Sequence, residues 1–376
     1  MEIVTLSIGR NILKSGSHDR TRMTLYAKHL NALHIIILSR YEHEYADDIH
    51  EGNLHLYPTN SRSRFTMVID AGRIAYRILK TRTATECTLT AQDPLELGLL
   101  SYLLSRSTKV PYTVQVHGDY YSPEWSEGSV IRKMRRRIIP FVLRHASKVR
   151  VVSERIRRSL EAIGISDSTM GVLPVRPVLE LFLRATRTRP EGSPFVVLTA
   201  SRFATEKNIP FLIRAFKTLH ERHPDTVLRI TGSGNERERI EAAITSCGLK
   251  KVVTILPWTE HIEIEMANAD VFALASLHES YGLVLIEALA SGTPVVTTDV
   301  GCVGEVIQDG VHGHVIAVND TEVYEKALID MYEDVEFRKR AGQAGRKLAL
   351  RLATQNEEEY AKKWVALHSA SAHAVY

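Results

Sequence analysis

Apolar residues along this chain fall into two alternating patterns. Near-continuous apolar runs at 2–8, 34–39, 86–91, 112–117 and 148–153 alternate with helix-spaced segments near 18–31, 65–80, 94–105, 129–145 and 153–163. After a Pro- and Arg-rich stretch at 173–194 the rhythm returns. Its runs are 195–200, 226–231, 252–256, 270–275 and 294–298, and its helical segments are 208–221, 235–246, 260–268 and 282–291. Apolar runs without polar alternation predict strands buried on both faces, and strand–helix alternation predicts a parallel sheet covered by helices. The expectation is an α/β protein of two Rossmann-like units, 1–173 and 195–345, joined by a linker at 174–194 and followed by a helical tail at 346–376. Each unit is long enough to bury its own core. Ligands of open parallel sheets bind beyond the carboxyl ends of the strands, so two such units facing one another predict a cleft between them.

Composition changes this picture little. Hydrophobic residues make up 44% of the chain and charged residues 24%, ordinary for a soluble globular protein. Cys87, Cys247 and Cys302 are widely spaced and form no metal or redox pattern, which suits a reducing cytosol. The first residues are interrupted too soon for a signal peptide, and no apolar run approaches membrane-spanning length, so a cytoplasmic location is expected. Charge adds more. The net +4 hides a basic half, with 29 Lys and Arg against 18 Asp and Glu in 1–190, beside an acidic half with 19 against 26. Only the first half is then suited to an anionic partner. Within it the segment 129–145 carries Arg132, Lys133, Arg135, Arg136 and Arg137 among apolar residues, with Pro140 expected to kink it. Such a helix either lies on an anionic membrane surface or turns a basic face to solvent. No nucleic-acid module is visible, and no nucleic-acid partner is expected.

Candidate chemistry centres on two glutamates. Glu279 and Glu287 flank Tyr281 and Gly282, and Glu287 stands among Leu283, Val284, Leu285, Ile286, Ala288, Leu289 and Ala290. A helix apolar all round is a buried helix, and a carboxylate within it is costly unless hydrogen-bonded. Either an internal Arg or amide satisfies Glu287, or it is reserved for ligand hydroxyls one turn inside a helix whose start offers free amides to an anion. After the run 195–200 come Arg202 and Lys207, five apart in a strand-to-helix loop, where they can converge on a diphosphate. Gly232 and Gly234 end the next run; they are either a plain tight turn or a close approach to a phosphate or base. His117 closes the run 112–117, where a capped core histidine is the structural alternative. His312 and His314 lack the spacing for a metal site, and no Asp-x-Asp occurs anywhere, so no metal and no cofactor are expected.

The stretch Glu279, Tyr281-Gly282, Glu287, Gly292-Thr293-Pro294-Val295-Val296, Gly301 and Glu305 resembles the donor-site motif of the retaining glycosyltransferases of the GT-B fold, the glycogen-synthase-like group 1 or family 4. Arg202 and Lys207 match that group's Arg and Lys, although Ser201 and Asn208 stand where Gly is usual; Asn tolerates a left-handed backbone. The resemblance implies two Rossmann-like domains across a deep cleft, with the tail crossing back to the first. It implies that Glu287 binds ribose hydroxyls, Glu279 the donor sugar's hydroxyls, and Arg202 and Lys207 the departing diphosphate. His117 would touch the donor sugar. Gly16, Gly232, Gly234, Ser280, Tyr281, Gly282 and Leu283 would line the donor site. Of the group's Gly-Gly pair near the first strand only Gly16 is present, and its Asn-Gly turn is replaced by Pro174-Val175-Arg176.

The expected function is therefore transfer of a hexose, with retention, from a UDP- or GDP-sugar to a saccharide or lipid-linked acceptor. The alternatives are a sugar-nucleotide epimerase, which needs no acceptor, and a non-catalytic docking subunit, whose sign would be loss of Arg202, Lys207 or Glu279. All three are present.

Overall fold

The computed structural model describes residues 1–43, 45, 47–126 and 129–369; the last residues of the tail, 370–376, lie outside them. The chain divides into one unit of 1–174 with 356–376 and a second of 175–355. In the first, β1 (Glu2–Ser7), β2 (Ala32–Ile37), β3 (Ile49–Glu51), β4 (Leu54–Pro58), β5 (Cys87–Ala91), β6 (Tyr112–Val116), β7 (Lys148–Val151) and β8 (Met170–Val172) make one sheet. Its order is β3-β4-β2-β1-β5-β6-β7-β8, parallel throughout except for the β3–β4 pair. In the second unit, β9 (Phe195–Ala200), β10 (Thr226–Thr231), β11 (Val253–Leu256), β12 (Val271–Leu274), β13 (Val295–Thr298) and β14 (Gly313–Ile316) run in the order β11-β10-β9-β12-β13-β14, all parallel.

The central strands are fully buried, as their unbroken apolar runs require. The short strands β3, β4, β8 and β14 are absent from the sequence-based expectation. β3 and β4 alternate apolar with polar residues around a tight Gly52 turn, and β8 and β14 are brief edge strands with little apolar signal. A helix at Thr321–Glu333, capped by the Asp320 side chain, was also missed.

Two parts of the chain depart from expectation. The stretch read as a bare linker carries a helix, Glu180–Arg184, and is held in the second unit by side chains near β12. Asp270 takes Arg187 at 2.8 Å, Arg189 at 2.5 Å and the amide of Val196, while Asn268 accepts from the amides of Thr188 and Arg189. The tail comprises helices Val335–Ala353 and Glu357–His368, and the division between units falls after Gln355, not after residue 345. Asn356 caps the second of these helices, which packs on the first unit by stacking Trp364 on Tyr26 with centroids 4.9 Å apart.

Pro140 lies inside one continuous helix, Val130–His145. A proline removes the N–H that would reach the carbonyl four residues back, here that of Arg136. The Tyr121 hydroxyl donates to that carbonyl at 3.0 Å and satisfies it.

Candidate active site

In the second sheet the strand order reverses between β9 and β12, and the loops leaving their carboxyl ends carry the candidate residues Arg202, Lys207 and Glu279. This is the topological switch point at which open α/β sheets bind ligands. Residues 201–208 follow β9 and 275–282 follow β12, and the Leu277 amide donates to the Glu206 carbonyl at 2.8 Å to join the loops. Lys207 Nζ meets Glu279 Oε1 at 2.5 Å, and the two side chains are only 13% and 10% exposed. Ser276 Oγ donates to the same carboxylate oxygen at 2.7 Å, and Thr298 Oγ1 holds the Ser276 carbonyl at 2.6 Å. Sequence reasoning missed Ser276. Its signal was the Ser-x-x-Glu spacing to Glu279, the interval used when a side chain organises a local turn.

Asn208 takes φ +49°, the left-handed conformation that its replacement of a Gly demands. It opens helix Ile209–Arg222 and so fixes where the preceding Lys207 leaves the backbone. Arg202 is differently placed. Its guanidinium is largely exposed and donates to Glu206 at 3.3 Å, leaving most of its donors free for an anion.

Gly282, at φ +81°, starts helix Leu283–Ala290; no side chain caps that helix and no acidic residue sits in its first turn. Exposed Ser280 and buried Tyr281 lead into it. Glu287 lies one turn inside, among buried Leu285, Ile286, Ala288 and Leu289. Among the described residues no side chain pairs with its carboxyl group, and burial pushes its pKa up to about 7. The internal Arg or amide considered from the sequence is therefore not what Glu287 meets.

Helix Leu283–Ala290 is held from behind by helix Val335–Ala353. A Cβ on Gly342 would stand 2.4 Å from the Gly292 carbonyl oxygen, and one on Gly345 2.4 Å from Leu289 Cδ2. These two glycines let the helices meet at backbone distance. Arg346 then donates to the Ala290 carbonyl at 2.9 Å at the end of the shorter helix.

Gly232 and Gly234 have a structural task of their own. A Cβ on Gly232 would lie 1.9 Å from the Ser201 carbonyl oxygen, and one on Gly234 2.3 Å from that of Phe203. The loops after β9 and β10 therefore zip together, with Phe203 N donating to Ser233 O at 2.7 Å. The close approach these glycines make is to protein backbone.

Gly16 and His117 belong to the first unit. Gly16 turns the chain at φ +73° into helix His18–Ala27, whose first turn Ser17 caps. His117 follows β6, and the next loop is closed by Asp119, which accepts from Ser122 N and Ser159 Oγ. Burial, with Arg150 and Arg22 nearby, lowers the His117 pKa to about 3, so its imidazole is neutral at physiological pH. Arg150 itself is buried and, among the described residues, donates to neutral groups: Gln115, the Leu173 and Pro174 carbonyls and the Tyr360 hydroxyl. Among the described residues no group of three His, Cys, Asp or Glu side chains is arranged to hold a metal ion.

Residues 184–348 match the family model for glycosyl transferases group 1, and residues 25–176 match that of the glycosyl transferase 4-like domain. The chain belongs to the group 1, family 4 glycosyltransferases. The chain is 35% identical over 190 residues to the D-inositol 3-phosphate glycosyltransferase of Paenarthrobacter aurescens, covering 49% of this chain and 46% of that one. It is 31% identical over 162 residues to the lipopolysaccharide core biosynthesis glycosyltransferase LpsE of Rhizobium meliloti, covering 43% and 46%. The match spans about half the length of these curated relatives. Anabaena HepE, solved with UDP and glucose, superposes with a TM-score of 0.74 at 18% identity, over 99% of this chain and all of that one. The chain thus has the GT-B fold that its motifs led one to expect.

Proposed function

We propose that this protein transfers a hexose from a UDP- or GDP-sugar to a saccharide or lipid-linked acceptor, with retention and without a metal, in cell-surface polysaccharide or glycolipid synthesis. The observation that carries the reading is the buried Lys207–Glu279 pair at the β9/β12 switch point, one loop away from the unpartnered carboxyl of Glu287. Lys207 has three N–H donors and Glu279 occupies one, so the ammonium can hold a diphosphate while keeping its carboxylate. Arg202 and the uncapped start of helix Leu283–Ala290 add positive charge where the leaving group develops negative charge. Glu287, ionised, accepts from the two ribose hydroxyls, and Glu279 keeps a second carboxylate oxygen for the sugar.

In the reaction the bond from the anomeric carbon to the diphosphate oxygen breaks, and its electron pair leaves with the diphosphate. The acceptor hydroxyl attacks from the same face and gives its proton to a donor phosphate oxygen. The relative in Rhizobium meliloti works in lipopolysaccharide core biosynthesis, and HepE was solved with UDP and glucose; both support the substrate classes named. The test is incubation with UDP- and GDP-hexoses plus lipid-linked and oligosaccharide acceptors, followed by NMR of the product's anomeric proton. The reading expects retained configuration without added metal, and a fall in kcat of about a hundredfold in Lys207→Ala. Inverted product, a strict metal requirement, or full activity in that variant would contradict it. Diphosphate release with no acceptor requirement would favour the epimerase alternative.

A further inference from the structure

Helix Val130–His145 has two apolar faces, and only one is covered. Ile139, Val142 and Leu143 are buried against the first unit. Val130, Ile131, Met134, Ile138 and Phe141 are 73%, 69%, 64%, 36% and 43% exposed. At about 100° per residue these five fall within about a third of the helix circumference. Lys133, Arg137 and Arg144 border this exposed stripe on one side and Arg135 on the other. Arg132 and Arg136 are turned elsewhere, lying by Trp125 and Tyr121.

The stripe continues on neighbouring elements. Phe141 packs edge-on to Tyr102 of helix Glu96–Thr108 with centroids 4.9 Å apart, and Arg135 pairs with Glu96. That helix exposes Leu103, and it meets helix Arg64–Leu79 where Gly72 faces Leu100. The third helix exposes Phe65 and Ile69, at 89% and 55%. Scattered exposed apolar residues need no explanation, but a stripe of five on one helix, with further exposed apolar residues on the two helices packed in series beside it, does. The three helices together hold 10 Arg and Lys against 2 acidic residues, Asp70 and Glu96, and both of these are already paired with arginines.

We propose that this outer face of the first unit docks on an anionic lipid bilayer, the apolar stripe entering the headgroup region and the flanking cations contacting lipid phosphates. The charge balance selects this occupant, because an apolar patch made for a second copy of the chain would bring two cationic rims together. Among the described residues no helix is long and apolar enough to cross a membrane, so the contact is one of surface attachment.

The test is co-sedimentation of the full chain with vesicles of phosphatidylcholine alone and of equal parts phosphatidylcholine and phosphatidylglycerol, at low and high salt. The proposal expects binding to the anionic vesicles only, weakened by salt. Each basic residue near the surface strengthens partitioning about fivefold, so combining Lys133→Ala, Arg137→Ala and Arg144→Ala should weaken it about a hundredfold. Ile131→Asp with Met134→Asp should abolish binding with no loss of thermal stability, since these side chains are 69% and 64% exposed. Equal sedimentation with neutral vesicles, no binding to anionic ones, or full binding by the aspartate variant would overturn it. So would a wild-type dimer in gel filtration that the aspartate variant splits while vesicle binding persists. Vesicle binding needs no nucleotide sugar, so it stands or falls apart from the proposed transfer reaction.

Discussion

Glu287 is the residue whose chemistry is most constrained. Its carboxyl group is half-buried with no side-chain partner among the described residues, and loss of solvent raises its pKa to about 7. A carboxyl whose folded pKa is raised binds its proton more tightly in the native state than in the unfolded chain. Stability therefore falls as pH rises from about 4.5 to about 7, and the cost of the buried charge is fully present above that range. Glu287→Gln should accordingly melt above wild type at about pH 8 and lose this pH dependence; equal melting curves would contradict the burial account. Lys207 and Glu279 form a close ion pair with little exposure to solvent. Removing one member of a buried pair leaves the other charge uncompensated, so Lys207→Met should cost about 3 kcal/mol in urea unfolding. The pattern of apolar neighbours made Glu287 legible in the sequence. Ser276 and Thr298 were not, because a hydroxyl that orients a carboxylate three residues away looks like any loop serine until the turn is formed.

At the scale of elements, the site depends on how helix Leu283–Ala290 is held. Gly342 and Gly345 are ordinary residues in a helical sequence, where glycine only lowers propensity. In the fold they are the points at which helix Val335–Ala353 reaches the backbone and side chains of its neighbour. Gly345→Val would press a methyl into Leu289 and should destabilise the second unit by about 2 kcal/mol. The same shift should weaken nucleotide binding without touching the ligand, which calorimetry on the variant would read. The regular α/β rhythm was legible because each buried strand is a continuous apolar run. The short edge strands β8 and β14 were not, being three and four residues long. Segment 174–194 read as a linker because its prolines and arginines carry no period. Its attachment to the second unit comes from Asp270 and Asn268, far away in sequence.

Across the whole molecule, the first unit stores buried neutral imidazoles. His117 and His368 both have pKa values lowered to about 3, chiefly by burial and next by the Arg150 charge. The unfolded chain takes up these protons near pH 6.5 while the native state does not, so stability is lost as pH falls below that value. His368→Phe should make the dependence of Tm on pH between about 5 and about 7 shallower; an unchanged slope would place the acid sensitivity elsewhere. His368 lies on the helix that stacks Trp364 on Tyr26 and brings the Tyr360 hydroxyl to Arg150 at 3.0 Å. The tail thus completes the first unit's core, which no local sequence signal could announce.

The central claim is that the β9/β12 switch point is a nucleotide-sugar donor site built around Glu287. Its most direct test is calorimetric titration of UDP, GDP and ADP into the full chain without added metal, beside Glu287→Ala. The account predicts that UDP or GDP binds, that protons are released near pH 7 as Glu287 ionises against the ribose, and that both effects vanish in the variant. Failure of every nucleotide to bind, or equal binding by Glu287→Ala, would contradict it.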